Sequence, residues 1–169
     1  GRAVTYPTHY DASLLFPIER SEARQLIGHH GHALPFIGWD LWNAYEMSWL
    51  NSGGLPRVAI LRVRVPCQSP RIIESKSFKL YLNGFNQTRF GSADEVLARL
   101  REDLGRAAGT PVDVELVTAT GMHTESIREF DGIDLDLNEH VTIDTYEPSA
   151  AILSLAEDRT LVAESVLSR

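Results

Sequence analysis

A chain of 169 residues, 43% apolar and 23% charged, has the composition of an ordinary globular protein with room for one domain plus extensions. Its formal charge of −7 argues against a nucleic-acid-binding surface over most of the molecule, and the single cysteine, Cys67, excludes an internal disulfide and suits a reducing compartment. No apolar run approaches the ~20 residues of a membrane span and no basic-then-apolar leader opens the sequence, so no membrane partner is expected and the cytoplasm is the expected location.

Residues 1–35 mix tyrosine, proline and histidine without a sustained period, which predicts an extended arm with a helical turn near Ser21 to Leu26. His29, His30 and His32 cluster in GHHGH, but consecutive histidines do not easily share one ion and no cysteine or carboxylate stands at ligand spacing. A solvated turn is the better reading, and no metal is expected. From Trp39 to Leu50 the pattern alternates, with Trp39, Leu41, Tyr45, Met47 and Trp49 assigned to one face and Asn43 as the exception. NSGGLP (Asn51 to Pro56) is turn chemistry. Arg57 to Val65 is a second strand, with Ala59, Leu61, Val63 and Val65 on one side and Arg62 and Arg64 on the other.

Two helical patterns follow. Phe78, Leu82 and Phe85 recur at four- and three-residue spacing as one buried stripe, with Lys76, Lys79 and Asn83 on another face. Ser92-Ala-Asp-Glu95 is a capping box that opens a second helix, whose core side is Val96, Leu97, Leu100 and Leu104 and which Gly105 and Gly109 close. Pro111 to Thr120 alternates as a further strand through Val112, Val114, Leu116 and Thr118, and 132–137 and 140–146 are strand-like as well. The order ββααββ predicts an α+β architecture, an antiparallel sheet with two helices on one face.

The segment ESKSFKLYLNGFNQT (Glu74 to Thr88) concentrates the chemistry. The chain's 16 basic residues include just two lysines, Lys76 and Lys79, and both fall here, where a compact ammonium is wanted rather than a planar guanidinium. Lys79 is left either solvated or in contact with a ligand. Seven basic residues (Arg57, Arg62, Arg64, Arg71, Lys76, Lys79, Arg89) stand against the one acid Glu74 between Arg57 and Arg89, a suitable setting for an anionic ligand such as a nucleotide cofactor. Glu74 and Ser75 sit where a loop becomes a helix, so amide N–H groups there favour an anion, and a carboxylate there can accept paired hydrogen bonds from an amidine-like edge. The simpler reading is that Ser75 caps the helix and Glu74 complements its dipole. Cys67 has no activating histidine or aspartate nearby in sequence and is read as a spectator.

ESKSFKLYLNGFNQTRF resembles the signature of the 7-cyano-7-deazaguanine reductases, the nitrile reductases of queuosine biosynthesis in tRNA modification, and specifically their two-module members. YDASLLFPIER (Tyr10 to Arg20), LPFIGWDLW (Leu34 to Trp42), YEMSWLNSGGLPRVA (Tyr45 to Ala59) and HVTIDTYE (His140 to Glu147) resemble the N-terminal half of those enzymes. The resemblance implies the tunnelling fold (T-fold) and an NADPH-dependent oxidoreductase that reduces 7-cyano-7-deazaguanine to its aminomethyl product. A cysteine thiolate adds to the nitrile to give a thioimide, an aspartic acid handles protons, and NADPH delivers hydride. It implies that Ile73, Glu74 and Ser75 contact substrate and that Ser75 and Lys76 contact NADPH.

The same resemblance marks departures. Alignment through the GLP before the second strand puts Leu50 at the family's nucleophilic cysteine and Arg57 at its aspartate, and Ser92 and Ala93 occupy the place of a His-Glu pair that grips the purine edge. No catalytic residue is therefore assigned in this chain, and 1–169 alone is expected to show no turnover. The missing groups are expected in a second catalytic module of the same protein. The absence of an initiator methionine and the strand-like ending TLVAESVLSR lead to the expectation of a piece of something longer. The expected organisation is an arm over 1–35, a T-fold module over 36–147 carrying the motif, and over 148–169 a linker and the first strand of the next module. A homodimer or higher assembly, or association through the terminal strand around Thr160 to Leu167, is expected. The alternative is a non-catalytic T-fold module that binds a purine-like base or a partner sheet. A zinc enzyme of the same fold would need cysteine–histidine ligands that this chain does not supply.

Overall fold

A computed structural model of the chain describes residues 8–26, 28–30, 33–118 and 121. The chain divides into two units, 1–128 and 129–169, the second wholly outside the described residues. The expected strands at 132–137 and 140–146 and the terminal strand around 160–167 therefore lie outside them too.

The architecture is α+β with antiparallel sheets. Strands β2 (Trp39–Leu50), β3 (Pro56–Pro66) and β5 (Asp113–Thr118) form a three-stranded sheet in the order β2-β3-β5. Strands β1 (Pro17–Glu19) and β4 (Arg71–Ile73) form a two-stranded one, and the helices are α1 (Arg20–Leu26), α2 (Ser75–Asn83) and α3 (Ala93–Ala108). Among the described residues no helix is long and apolar enough to cross a membrane.

The β2–β3 hairpin turns where the NSGG pattern places it. Asn51 Oδ1 accepts from the Leu55 amide at 2.8 Å, and Gly54 adopts φ +88, a conformation that favours glycine. In β3 the alternation behaves as expected: Ala59, Leu61, Val63 and Val65 are buried, and Arg62 and Arg64 point the other way.

Strand β2 does not keep one face. Its register shifts between Ala44, opposite Leu61, and Met47, opposite Ala59, so that two residues of β2 face one of β3. Before this bulge Trp42 and Ala44 pack on the core, and after it Met47 and Trp49 do. Trp39, Leu41 and Tyr45, assigned to one face with Met47 and Trp49 from alternation alone, are exposed on the opposite side. The extra residue inverts the phase of the pleat, which a period-two pattern does not register.

Helices α2 and α3 close the other side of the sheet. Phe78, Tyr81 and Phe85 join Val96, Leu100 and Leu104, together with the inward residues of β2 and β3, in one hydrophobic core. Tyr81 takes the fully buried place, and Leu82 lies at the margin. Ser92 caps α3 by accepting from the Glu95 amide, while Glu95 returns its carboxylate to the Gly91 amide at 2.7 Å. Gly109 ends the helix at φ +75.

The N-terminal arm is built into this body. It contains a 3-10 turn at Ala12–Leu14, then β1 and α1, a helix that extends the turn expected near Ser21 to Leu26. Arg20 forms an ion pair with Asp40 and donates to Ser69 Oγ at 2.9 Å. The Tyr10 hydroxyl reaches Asp103 on α3, and the Tyr10 ring packs edge-on against Tyr81, Phe85 and Phe90.

Candidate functional site

The motif Ile73-Glu74-Ser75-Lys76 lies at the junction of β4 and α2. Ile73 is the last residue of β4, paired with Pro17 of β1 and buried, so it anchors the junction from the core side. Glu74 is extended, with φ −64 and ψ 131, and is the residue that caps α2. Its Oε1 accepts from the Lys76 amide at 2.9 Å and its Oε2 from the Ser77 amide at 2.6 Å. Capping therefore falls to Glu74, and Ser75 is already the first helical residue. That division differs from the simpler sequence reading, because Glu74 folds its longer side chain back over the first turn.

Burial pushes the Glu74 carboxyl up, but the Lys76 and Ser77 amides, the Ser77 hydroxyl and the nearby Lys76 ammonium outweigh it. The net result is a carboxyl held below its ordinary range. Each oxygen spends one lone pair on a helix amide and retains capacity for an incoming donor. Ser75 and Lys76 are exposed beside it on the first turn. A hydroxyl, an ammonium and a helix N-terminus are thus gathered with one ionised carboxylate.

Ser77, a residue the motif reading passed over, is buried within this turn. Its hydroxyl accepts from the Phe16 amide at 3.0 Å and donates to the Glu74 carbonyl at 2.7 Å. The Glu74 amide in turn donates to the Phe16 carbonyl at 2.9 Å. The signal available in sequence was a second serine two positions after the first, and nothing local pointed to its partner in the arm.

The positions flagged as departures have structural roles. Leu50 ends β2 opposite Pro56, its amide donating to Thr88 and its carbonyl accepting from Phe90. Arg57 pairs with Trp49 across the hairpin, and Ser92 and Ala93 are the cap and first residue of α3. Cys67 is buried after β3, with Sγ 4.0 Å from the Phe36 carbonyl and its own carbonyl taking a bond from Arg24. His32 lies outside the described residues. Lys79 and Asn83 follow on α2, Asn83 Oδ1 accepting from Asn86 Nδ2 at 3.0 Å.

Residues 6–116 match the family model described as nitrile reductase, 7-cyano-7-deazaguanine-reductase N-term. Among curated proteins, the NADPH-dependent 7-cyano-7-deazaguanine reductase of Bordetella avium is 48% identical over 169 residues, which is 100% of this chain and 61% of that protein. The enzyme of the same name from Burkholderia multivorans is 48% identical over 168 residues, and that from Cupriavidus metallidurans 47% over 169, each again matched over 61% of its length. The chain thus spans about three-fifths of the relatives it resembles, 61% of each. A family model that takes in both the arm and the β4–α2 junction places this chain in the nitrile reductase family, as its 7-cyano-7-deazaguanine reductase N-terminal part.

Proposed function

We propose that this chain is the N-terminal, non-nucleophilic module of an NADPH-dependent 7-cyano-7-deazaguanine reductase, contributing substrate and cofactor contacts to a site completed elsewhere in the protein. The observation that carries this reading is the Glu74 carboxylate, ionised and fixed by two amides at the start of α2. A guanine-like ring presents adjacent N–H donors, and a preoriented carboxylate accepts them without first paying to order its own side chain. The Ile73 backbone, at the last position of β4, and the exposed Ser75 hydroxyl would complete the substrate contacts.

The exposed Ser75 hydroxyl and Lys76 ammonium fit a phosphate-bearing nucleotide, because both are donors at a positive helix end. NADPH, when bound, supplies hydride to the nitrile carbon. Lys76 and Ser75 would hold its charged portion, and Glu74 would hold the heterocycle. The nucleophile and the proton donor belong to the remaining part of the protein, since Leu50 and Arg57 carry neither function.

The tunnelling fold, with 36–147 as its module and 148–169 leading into the next, is part of the same proposal. Among the described residues β2 and β5 are the edges of the three-stranded sheet, and Trp39, Leu41, Tyr45 and Val58 are exposed on its helix-free face. Such an exposed apolar face favours a homodimer or larger assembly.

The test compares the full-length protein with residues 1–169. The full-length protein is expected to oxidise NADPH in step with loss of 7-cyano-7-deazaguanine, and 1–169 to show no turnover. Turnover by 1–169, or its absence from the full-length protein, would refute the assignment.

A further inference from the structure

Two hydroxyls, Ser77 buried and Thr88 half-buried, tie the arm to helix α2, and they do so in the same way at opposite ends. Beyond the C-terminal end, Thr88 Oγ1 accepts from the Tyr10 amide at 3.0 Å and donates to the Gly84 carbonyl at 2.7 Å. At the N-terminal end, Ser77 Oγ accepts from the Phe16 amide and donates to the Glu74 carbonyl. The difference lies in what each one touches. Thr88 meets backbone alone, whereas Ser77 holds the residue whose carboxylate faces the proposed ligand.

Around Ser77 the bonds close into a ring. The Phe16 amide donates to the Ser77 hydroxyl, that hydroxyl to the Glu74 carbonyl, and the Glu74 amide back to the Phe16 carbonyl. The Ser77 amide meanwhile holds Glu74 Oε2. The Glu74 backbone is thereby fixed on both sides of its Cα, and one side-chain oxygen is fixed as well. A carboxylate on a single-bonded stem samples several rotamers unless its surroundings choose one.

We infer that Ser77 is a positioning residue for the Glu74 carboxylate, and that the arm peptide at Phe16 is part of the ligand site through this clamp. The inference deepens the reductase reading and rests on it for the identity of the ligand. The clamp itself can be tested without any ligand.

The experiment uses the full-length protein with Ser77→Ala and, as a matched control, Thr88→Ala. Two quantities are read: the titration of Glu74 by carbon-13 NMR of its carboxyl, and binding of 7-cyano-7-deazaguanine by calorimetry. Ser77→Ala is expected to move the Glu74 midpoint upward and to weaken binding about tenfold, as loss of one hydrogen bond's worth of preorganisation would. Thr88→Ala is expected to leave both unchanged while costing similar thermal stability.

Equal shifts in the two variants, or none in either, would overturn the inference, since the arm would then act as a general brace. If Ser77→Ala moves the titration but the unaltered protein binds no 7-cyano-7-deazaguanine, the clamp stands and the reductase reading falls. Should Ser77→Ala not fold, hydrogen exchange on the unaltered protein decides. The Phe16 and Glu74 amides should slow together on ligand binding, and a Phe16 amide indifferent to ligand would count against the clamp.

Discussion

Tyr10 and Asp103 are 93 positions apart in sequence, and the tyrosyl hydroxyl donates to Asp103 Oδ2 at 2.5 Å. Tyr81 donates to the same oxygen at 2.8 Å. Asp103 has 1% of its side chain exposed, and Arg106 reaches its other oxygen at 3.4 Å. One buried carboxylate thus joins the arm, α2 and α3.

Removing that acceptor leaves two tyrosyl hydroxyls without it. Asp103→Ala is expected to cost about 3 kcal/mol, from lost charge-assisted bonds and a vacated polar site, and Asp103→Asn about half of that. Urea denaturation of the full-length protein checks both. A loss below about 0.5 kcal/mol for Asp103→Ala would show that the network contributes little.

The same network makes stability depend on alkaline pH. Burial, then the bond to Asp103 and its charge, push the Tyr10 hydroxyl up to about 12 from 10.0. Tyr81 is pushed further in the same direction, again chiefly by burial. A raised folded value means the protonated form is favoured in the native state. The contribution of Tyr10 is therefore whole below pH 10.0 and is lost as pH climbs through about 12. Unfolding free energies measured across that window should fall less steeply in Tyr10→Phe than in the unaltered protein.

Glu74 carries the opposite dependence. Its folded carboxyl lies below the ordinary value of 4.5, so its contribution is present above that value and is lost as pH falls through the lower folded one. Glu74→Gln is expected to cost about 0.5–1 kcal/mol in stability as a weakened cap. It should weaken 7-cyano-7-deazaguanine binding about 10- to 100-fold, the span of a hydrogen bond to a charged group. Calorimetry on the full-length variant reads the second figure, and binding unchanged by the substitution would remove Glu74 from the site.

Gly84 tests how tightly the arm is held. Its φ of −62 suits any residue, so alanine meets no backbone objection. A Cβ there would stand 2.7 Å from the His9 carbonyl oxygen and 3.1 Å from the Tyr10 Cα. Gly84→Ala is expected to cost about 1–3 kcal/mol by overpacking and to speed proteolysis within the arm. Unchanged cleavage would mean that the arm yields at no cost.

Much of the module was legible because its signals are local. The turn at Asn51, the cap at Ser92 and the buried row Val96, Leu100 and Leu104 each follow from residues within a few positions of one another. The motif likewise drew attention by its lysines and its place before a helix. What escaped was long-range. Asp103 reads as one more charge on an amphipathic helix until two tyrosines from other elements converge on it. β1 became visible only through its pairing with β4, and Ser77 only through Phe16. The inversion of β2 depends on how many residues β3 sets against it, which the β2 sequence alone does not contain.

That inversion gives β2 an unusual tolerance. Upstream of the bulge the inward positions are even-numbered, Trp42 and Ala44, and downstream they are odd-numbered, Met47 and Trp49. Deleting Glu46 would bring both sets into a single alternation without turning any of them outward. The hairpin should accept that shortening while refusing a deletion at Asn43 or Ser48, where half the strand would reverse. A length change, rather than a substitution, is the mutation this strand is built to absorb.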